Sequence, residues 1–116
     1  MRALLALELR PTAVFCTNDL VAAGALKVCA VDGLLVPREM SIVGCDDIEL
    51  ASLLVPELTT IAIPARELGA RAARLLLNAL RNDEAERRGG VRPQRMVPSR
   101  LVVRGTTAPP AQGSAR

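Results

Sequence analysis

The chain has 116 residues, half of them apolar, and a formal charge of +3, which suits one small domain burying roughly two-thirds of its unfolded surface. It contains no His, Trp or Tyr, and Phe15 is its one aromatic residue, so the commonest general base, the commonest zinc ligand and the usual stacking platform for bases or sugars are missing. Charge is unevenly spread: residues 1–60 hold eight acidic and four basic side chains, a balance of −4, which leaves +7 for the remainder.

In chain order, Met1 to Arg10 superficially resembles a signal peptide. Its apolar part is broken by Glu8, no small-residue cleavage site follows, and the reading is a helix turn packed on a sheet. Pro11 to Cys16 is an apolar, partly β-branched run with the bounds of a buried strand. Asn18-Asp19 then signals a helix start, and Leu20 to Val31 continues as a helix ending at Gly33. Apolar residues occupy nearly every side of that helix. One stripe suffices to cover a sheet, so the surplus implies a second contact, with a partner subunit or with another layer.

Val36 to Glu39 turns into a second strand, Ser41 to Cys45, followed by Asp46-Asp47. Ile48 to Leu54 is a short helix with Leu50, Leu53 and Leu54 at helical spacing, stopped by Pro56. Thr59 to Ile63 reads as a third strand ending at Pro64. Residues 65–82 form the clearest helix, with one stripe of Leu68, Ala72, Leu75, Leu76, Ala79 and Leu80 and a surface pair Glu67–Arg71. Asp83 to Gly90 is a charged loop, residues 95–107 return as a strand centred on Leu101, Val102 and Val103, and 108–116 is a Pro-rich tail expected to be disordered. No segment approaches the roughly 20 apolar residues of a membrane span.

Cys16, Cys29 and Cys45 are odd in number, lack CxxC spacing and sit in apolar runs, which marks them as small reduced core residues of a cytosolic chain. No metal site or cofactor is expected. The arginines of the basic half are scattered over helix, loop and strand without aromatic interleaving, the pattern of a solvated surface more than of a nucleic-acid face.

The two strands share a form: each runs straight into amide or acid side chains. Asn18 and Asp46 therefore fall at the carboxyl ends of neighbouring parallel strands, where open α/β sheets bind ligands. A carboxylate takes hydroxyl protons while an amide both donates and accepts, so Asp46 beside Asn18 suits a sugar or nucleoside. The competing reading is that Asn18 with Asp19, and Asp46 with Asp47, merely cap the following helices. Enzymatic use is not expected, because Asp46 and Asp47 on an extended strand end point to opposite sides and cannot flank one scissile bond.

The order Arg10-Pro11-Thr12-Ala13-Val14-Phe15-Cys16-Thr17-Asn18-Asp19, Val36-Pro37, Ser41-Ile42-Val43-Gly44, Asp46-Asp47, Leu58-Thr59-Thr60-Ile61, Leu68-Gly69 and Leu101-Val102-Val103-Arg104-Gly105-Thr106-Thr107 resembles the carboxyl-terminal part of the lactose and galactose repressor family of bacterial transcriptional regulators. The resemblance spans residues 3–110. It implies an incomplete α/β, parallel-sheet, periplasmic-binding-protein-like (type I) sensor domain over residues 1–107. Residues 12–58 would be most of the second lobe, the helix at 65–82 would pack on a first lobe that is largely absent, and 95–107 would be the return strand. Nothing matches a helix-turn-helix.

The resemblance further implies that Asn18 and Asp46 contact a small effector, sugar or nucleoside-like, with Asp19 and Asp47 capping helices or supporting those contacts. It implies a homodimer whose face includes Ala23, Leu50 and Leu54, a cytoplasmic location without membrane contact, and operator DNA reached only through the missing helix-turn-helix. Cys45 stands where the family very often has Tyr, so an aromatic neighbour of the effector is lost. The function implied is the ligand-sensing and dimerisation portion of an allosteric regulator. The alternative is a solute-binding protein for sugar uptake, which shares the two-lobed fold.

Overall fold

The computed structural model describes residues 1–81 and 96–110. The expected loop at 83–90, the start of the return strand at Arg95 and the end of the tail lie outside them. Eight elements follow in order: α1 (Arg2–Leu5), β1 (Ala13–Phe15), α2 (Asp19–Val31), β2 (Ser41–Asp46), α3 (Leu50–Leu53), β3 (Thr59–Ala62), α4 (Ala65–Arg81) and β4 (Arg100–Val102). They divide into two compact units, one of Met1–Ile63 with Arg100–Arg116 and one of Pro64–Ser99.

The first unit is a four-stranded sheet in the order β1-β2-β3-β4. β1, β2 and β3 are parallel, with Phe15 opposite Val43 and Gly44 opposite Thr60, while β4 closes antiparallel with Val102 opposite Thr60. Short apolar β-branched runs separated by helical segments produce this βαβαβ winding. Its two crossovers step in one direction, and right-handed connections then set α2 and α3 on the same face; the two helices touch.

That face holds the core. Ala22, Ala25, Leu26 and Cys29 of α2 pack with Met40, Ile42, Ala51 and Leu58, all buried, and Leu58 N–H closes the α3 loop by donating to Ala51 O at 2.8 Å. On the opposite face Phe15 and Leu101 are more than half exposed, and Val43, Cys45 and Ile61 are only partly buried. The continuous run Ile42 to Cys45 has the composition of a strand covered on both sides. Among the described residues of this unit only one side is covered.

Several elements are shorter than their sequence patterns. β1 omits Pro11, which has no N–H for a ladder. β4 spans three residues where a strand from 95 to 107 was expected, because β3 offers only four residues to pair with and the chain from Arg104 turns to other bonds described below. Ala108–Pro110 carry no regular structure. In the second unit α4 carries its apolar residues along one side, and Leu68, Leu75, Leu76 and Leu80 are exposed; the Glu67–Arg71 ion pair forms as its i, i+4 spacing requires. No described helix is long and apolar enough to cross a membrane.

Candidate functional site

β1 and β2 deliver their site residues in register. Phe15 pairs with Val43, and Asn18 and Asp46 each lie three residues further on, so both project from the carboxyl edge of the sheet.

Asn18 is the N-cap of α2, with extended backbone (φ −155°, ψ 170°), and its Oδ1 accepts from Val21 N–H at 2.8 Å. That bond satisfies one of the orphan amides of the first helical turn. It uses the amide oxygen only, and among the described residues the Nδ2 hydrogens have no protein acceptor. Capping and a ligand-directed donor are thus compatible on one side chain.

Asp19, the next residue, is not a cap. It is completely buried, its Oδ1 accepts from Thr60 Oγ1 at 2.5 Å and its Oδ2 accepts from Ile48 N–H at 2.9 Å. A buried carboxylate is tolerable only when hydrogen-bonded in this way. The two bonds tie the start of α2 to the centre of β3 and to the loop after β2.

That loop departs from the expected extended strand end. Asp46 has φ 112° and Asp47 φ 56°, a positive-φ conformation that costs a residue with a Cβ on the order of 1–3 kcal/mol at each position. The turn leaves the Asp46 carboxylate exposed at the strand end with no hydrogen bond or ion pair to another described residue. Asp47 is drawn elsewhere: its Oδ1 accepts from Arg104 Nη2 at 2.6 Å, and both side chains are largely buried. It does not cap α3, whose N-cap is Glu49 without a side-chain bond.

Arg104 also donates through Nη1 to Leu58 O and through its backbone N–H to Thr59 Oγ1, each at 2.9 Å. Two residues on, the buried Thr106 Oγ1 accepts from Thr59 N–H and donates to Ile42 O at 2.6 Å, and Thr106 O accepts from Ile42 N–H. The Arg104-Gly105-Thr106 segment thus laces β2 to β3. Sequence reasoning noted these residues as a motif but gave them no role, and it read Thr60 only as part of a strand and of a motif, with no role at the site; their partners are 41 to 64 residues away.

Electrostatically the strand ends are acidic. The Cys45 thiol is pushed above its ordinary value, first by desolvation and then by the charges of Asp46 and Asp19. Burial likewise raises Cys16 and Cys29, and all three cysteines are free. No group of three potential metal ligands occurs among the described residues.

Of the residues expected at a dimer face, Ala23 on α2 and Leu50 on α3 are half-buried, and Leu54 leans against the core. Their neighbours Leu20, Leu53 and Val55 are far more exposed, Val55 almost fully.

Residues 1–107 match the model of the periplasmic binding protein-like domain. The chain is 40% identical over 107 residues to the HTH-type transcriptional repressor CytR of Escherichia coli (strain K12), covering 92% of this chain and 30% of that protein. Two solved structures are similar. A LacI family transcriptional regulator from Enterococcus faecium with bound ribose superposes with a TM-score of 0.75 at 34% identity, over 93% of this chain and 38% of that one. The Lac repressor dimer bound to operator and the anti-inducer ONPF superposes at 0.71 with 38% identity, over 84% and 32%. The chain spans a quarter to three-tenths of the curated repressors it matches.

Proposed function

The chain belongs to the periplasmic binding protein-like domain family, among the lactose-repressor type of transcriptional regulators, and from that premise we propose that it is the effector-sensing and dimerisation portion of such a regulator. The observation that carries the reading is the pair of side chains at the sheet's carboxyl edge: an Asp46 carboxylate on β2 and, on the adjacent strand end, an Asn18 amide N–H₂, neither bonded to another side chain or backbone group among the described residues. Together they offer two acceptor oxygens and two N–H donors to a fixed array of hydroxyls, the surface of a sugar or a nucleoside. The ribose seen in the Enterococcus faecium regulator is of that class.

In this reading the ligand lies between this lobe and a second one, favours one arrangement of the two, and so alters the spacing of two DNA-reading heads on a palindromic operator. Such a switch works in the cytoplasm and acts on DNA only through a helix-turn-helix domain. The outer sides of α2 and α3, with Ala23, Leu50 and Leu54, would face the partner protomer. No catalytic step is assigned. The relatives named above are transcriptional regulators, two of them repressors, which favours the switch over a solute-binding protein for sugar uptake.

A chimera tests the proposal: residues 1–107 replace the corresponding segment of Escherichia coli CytR, and calorimetry with a panel of pentoses, hexoses, nucleosides and purine bases reads binding. At least one compound is expected to bind, and Asp46→Ala is expected to weaken it. A folded chimera that binds none of the panel would refute the sugar or nucleoside assignment.

A further inference from the structure

We propose that Arg104 is a positioning residue for the effector site: it locks the Asp46–Asp47 turn in its left-handed conformation and thereby aims the Asp46 carboxylate. This rests on the effector reading above for its purpose, but its physical content concerns the turn alone.

The turn needs an external hold. Two successive non-glycine residues sit at positive φ, 112° and 56°, and Asp, with its short polar side chain, tolerates this region without preferring it. Residues kept in such conformations persist when their surroundings over-determine them. Two restraints are present. On one side Asp19, anchored by Thr60 Oγ1, accepts the Ile48 N–H and fixes where the turn ends. On the other, the Arg104 guanidinium grips Asp47 Oδ1 and is itself immobilised by Leu58 O. Its backbone is in turn pinned by Thr59 Oγ1. A planar guanidinium with fixed N–H directions serves this bridging role, whereas a flexible ammonium satisfies one partner at a time.

The arrangement also accounts for the different roles of the two adjacent aspartates. Arg104 neutralises Asp47, so the carboxylate beside it remains the free one. If the grip were lost, the turn would relax toward the extended strand end that the sequence pattern favours. Adjacent side chains on an extended strand point to opposite sides, and the aim of Asp46 would change with the backbone.

Hydrogen exchange with fragmentation fine enough to resolve single amides tests this on the chain as it stands, at low micromolar concentration. In Arg104→Met, Ile48 N–H is expected to exchange about tenfold faster, the loss of a charge-assisted hold on a local opening. Ile42 and Thr59 N–H, which depend on Thr106, should keep their protection. Arg104→Lys should recover part of the Ile48 protection, and if Arg104→Met fails to fold, that variant decides by an intermediate acceleration confined to residues 46–48. Unchanged Ile48 exchange in the folded variants overturns the proposal. So does equal acceleration at Ile42, Thr59 and Ile48 in Arg104→Lys, which would show a merely structural arginine. D-ribose added to the wild-type chain gives the separate arm. Protection by ribose at residues 46–48 that survives Arg104→Lys undiminished, together with normal Ile48 exchange, counts against Arg104. Absence of any ribose effect on the wild type counts against ribose as effector and leaves the result on the turn standing.

Discussion

Gly44→Ala should be among the most damaging small substitutions in this chain. Gly44 lies at the centre of β2 on the face covered by α2, and a Cβ there would collide with Asp19 Oδ1, approach Leu58 Cδ2 to 2.9 Å and Asp19 Cγ to 3.3 Å. The leucine methyl can rotate away. The carboxylate oxygen cannot, because retreating breaks its bond to Thr60 Oγ1 and leaves Thr60 buried without its acceptor. Overpacking costs about 1–3 kcal/mol, and a lost hydrogen bond to a charged group about 1.5–3 kcal/mol. Replacing glycine within a strand returns about 0.5–1 kcal/mol. The net is a destabilisation of about 2–5 kcal/mol, a large share of the 5–15 kcal/mol typical of a whole domain.

Pulse proteolysis across a urea series, at concentrations low enough to limit self-association, reads this directly. The same substitution in an Asp19→Ala background should cost less than about 1.5 kcal/mol, since the colliding oxygen is gone and the two sites are in contact. A cost below about 0.5 kcal/mol in the wild-type background, or an equal cost in both, would refute the reasoning that Gly44 exists to make room for Asp19.

The exposed Phe15 and Leu101 on one sheet face, the edge of β1 that is unpaired among the described residues and the exposed leucines of α4 predict self-association of the isolated chain and dye binding to apolar surface; a monodisperse monomer in sedimentation velocity would count against this. In the CytR chimera, Asp46→Ala should weaken effector binding by about 1.5–3 kcal/mol with little change in stability, because the carboxylate stabilises nothing else among the described residues; unchanged affinity in calorimetry would remove Asp46 from the site. Raised thiol pKa values favour the protonated form in the folded chain, so their contribution is complete below the unfolded thiol pKa and is lost as pH rises through it toward the folded values. Urea midpoints should therefore fall on the alkaline side of that value, and replacing Cys16 and Cys29 by Ala should flatten the fall. Despite its +7 second half, the chain should bind DNA no tighter than about 10⁻⁴ to 10⁻⁶ M and lose that binding steeply with salt; submicromolar binding in the presence of excess random DNA would contradict it.

What was legible in the sequence was local. The apolar runs at β1 and β2, the cap at Asn18 and the one-sided stripe of α4 all follow from neighbours within a few residues, and the structure places each of those elements there. The support of the site was not local. Asp19 looks like half of a capping pair until Thr60 and Ile48 arrive from 41 and 29 residues away, and Asp47 looks like another cap until Arg104 reaches it across 57. The backbone of Asp46 and Asp47 misled for the same reason: a β-branched run predicts continued extension, and the left-handed turn is imposed by tertiary bonds that no local pattern encodes. The sharp turn also leaves adjacent side chains free to do different things, so the opposite-sides argument against a shared reaction rests on an extended geometry that the chain does not adopt.

The central claim is that Asn18 and Asp46 receive a small polar ligand at the carboxyl edge of this sheet. The crystal structure of the CytR chimera with the tightest ligand of the panel tests it most directly. The account predicts the Asp46 carboxylate accepting from ligand hydroxyls and Asn18 Nδ2 donating to the same molecule while its Oδ1 still caps α2. A ligand bound in the domain with both side chains turned away, Asn18 serving as a cap alone and Asp46 facing solvent, would contradict it.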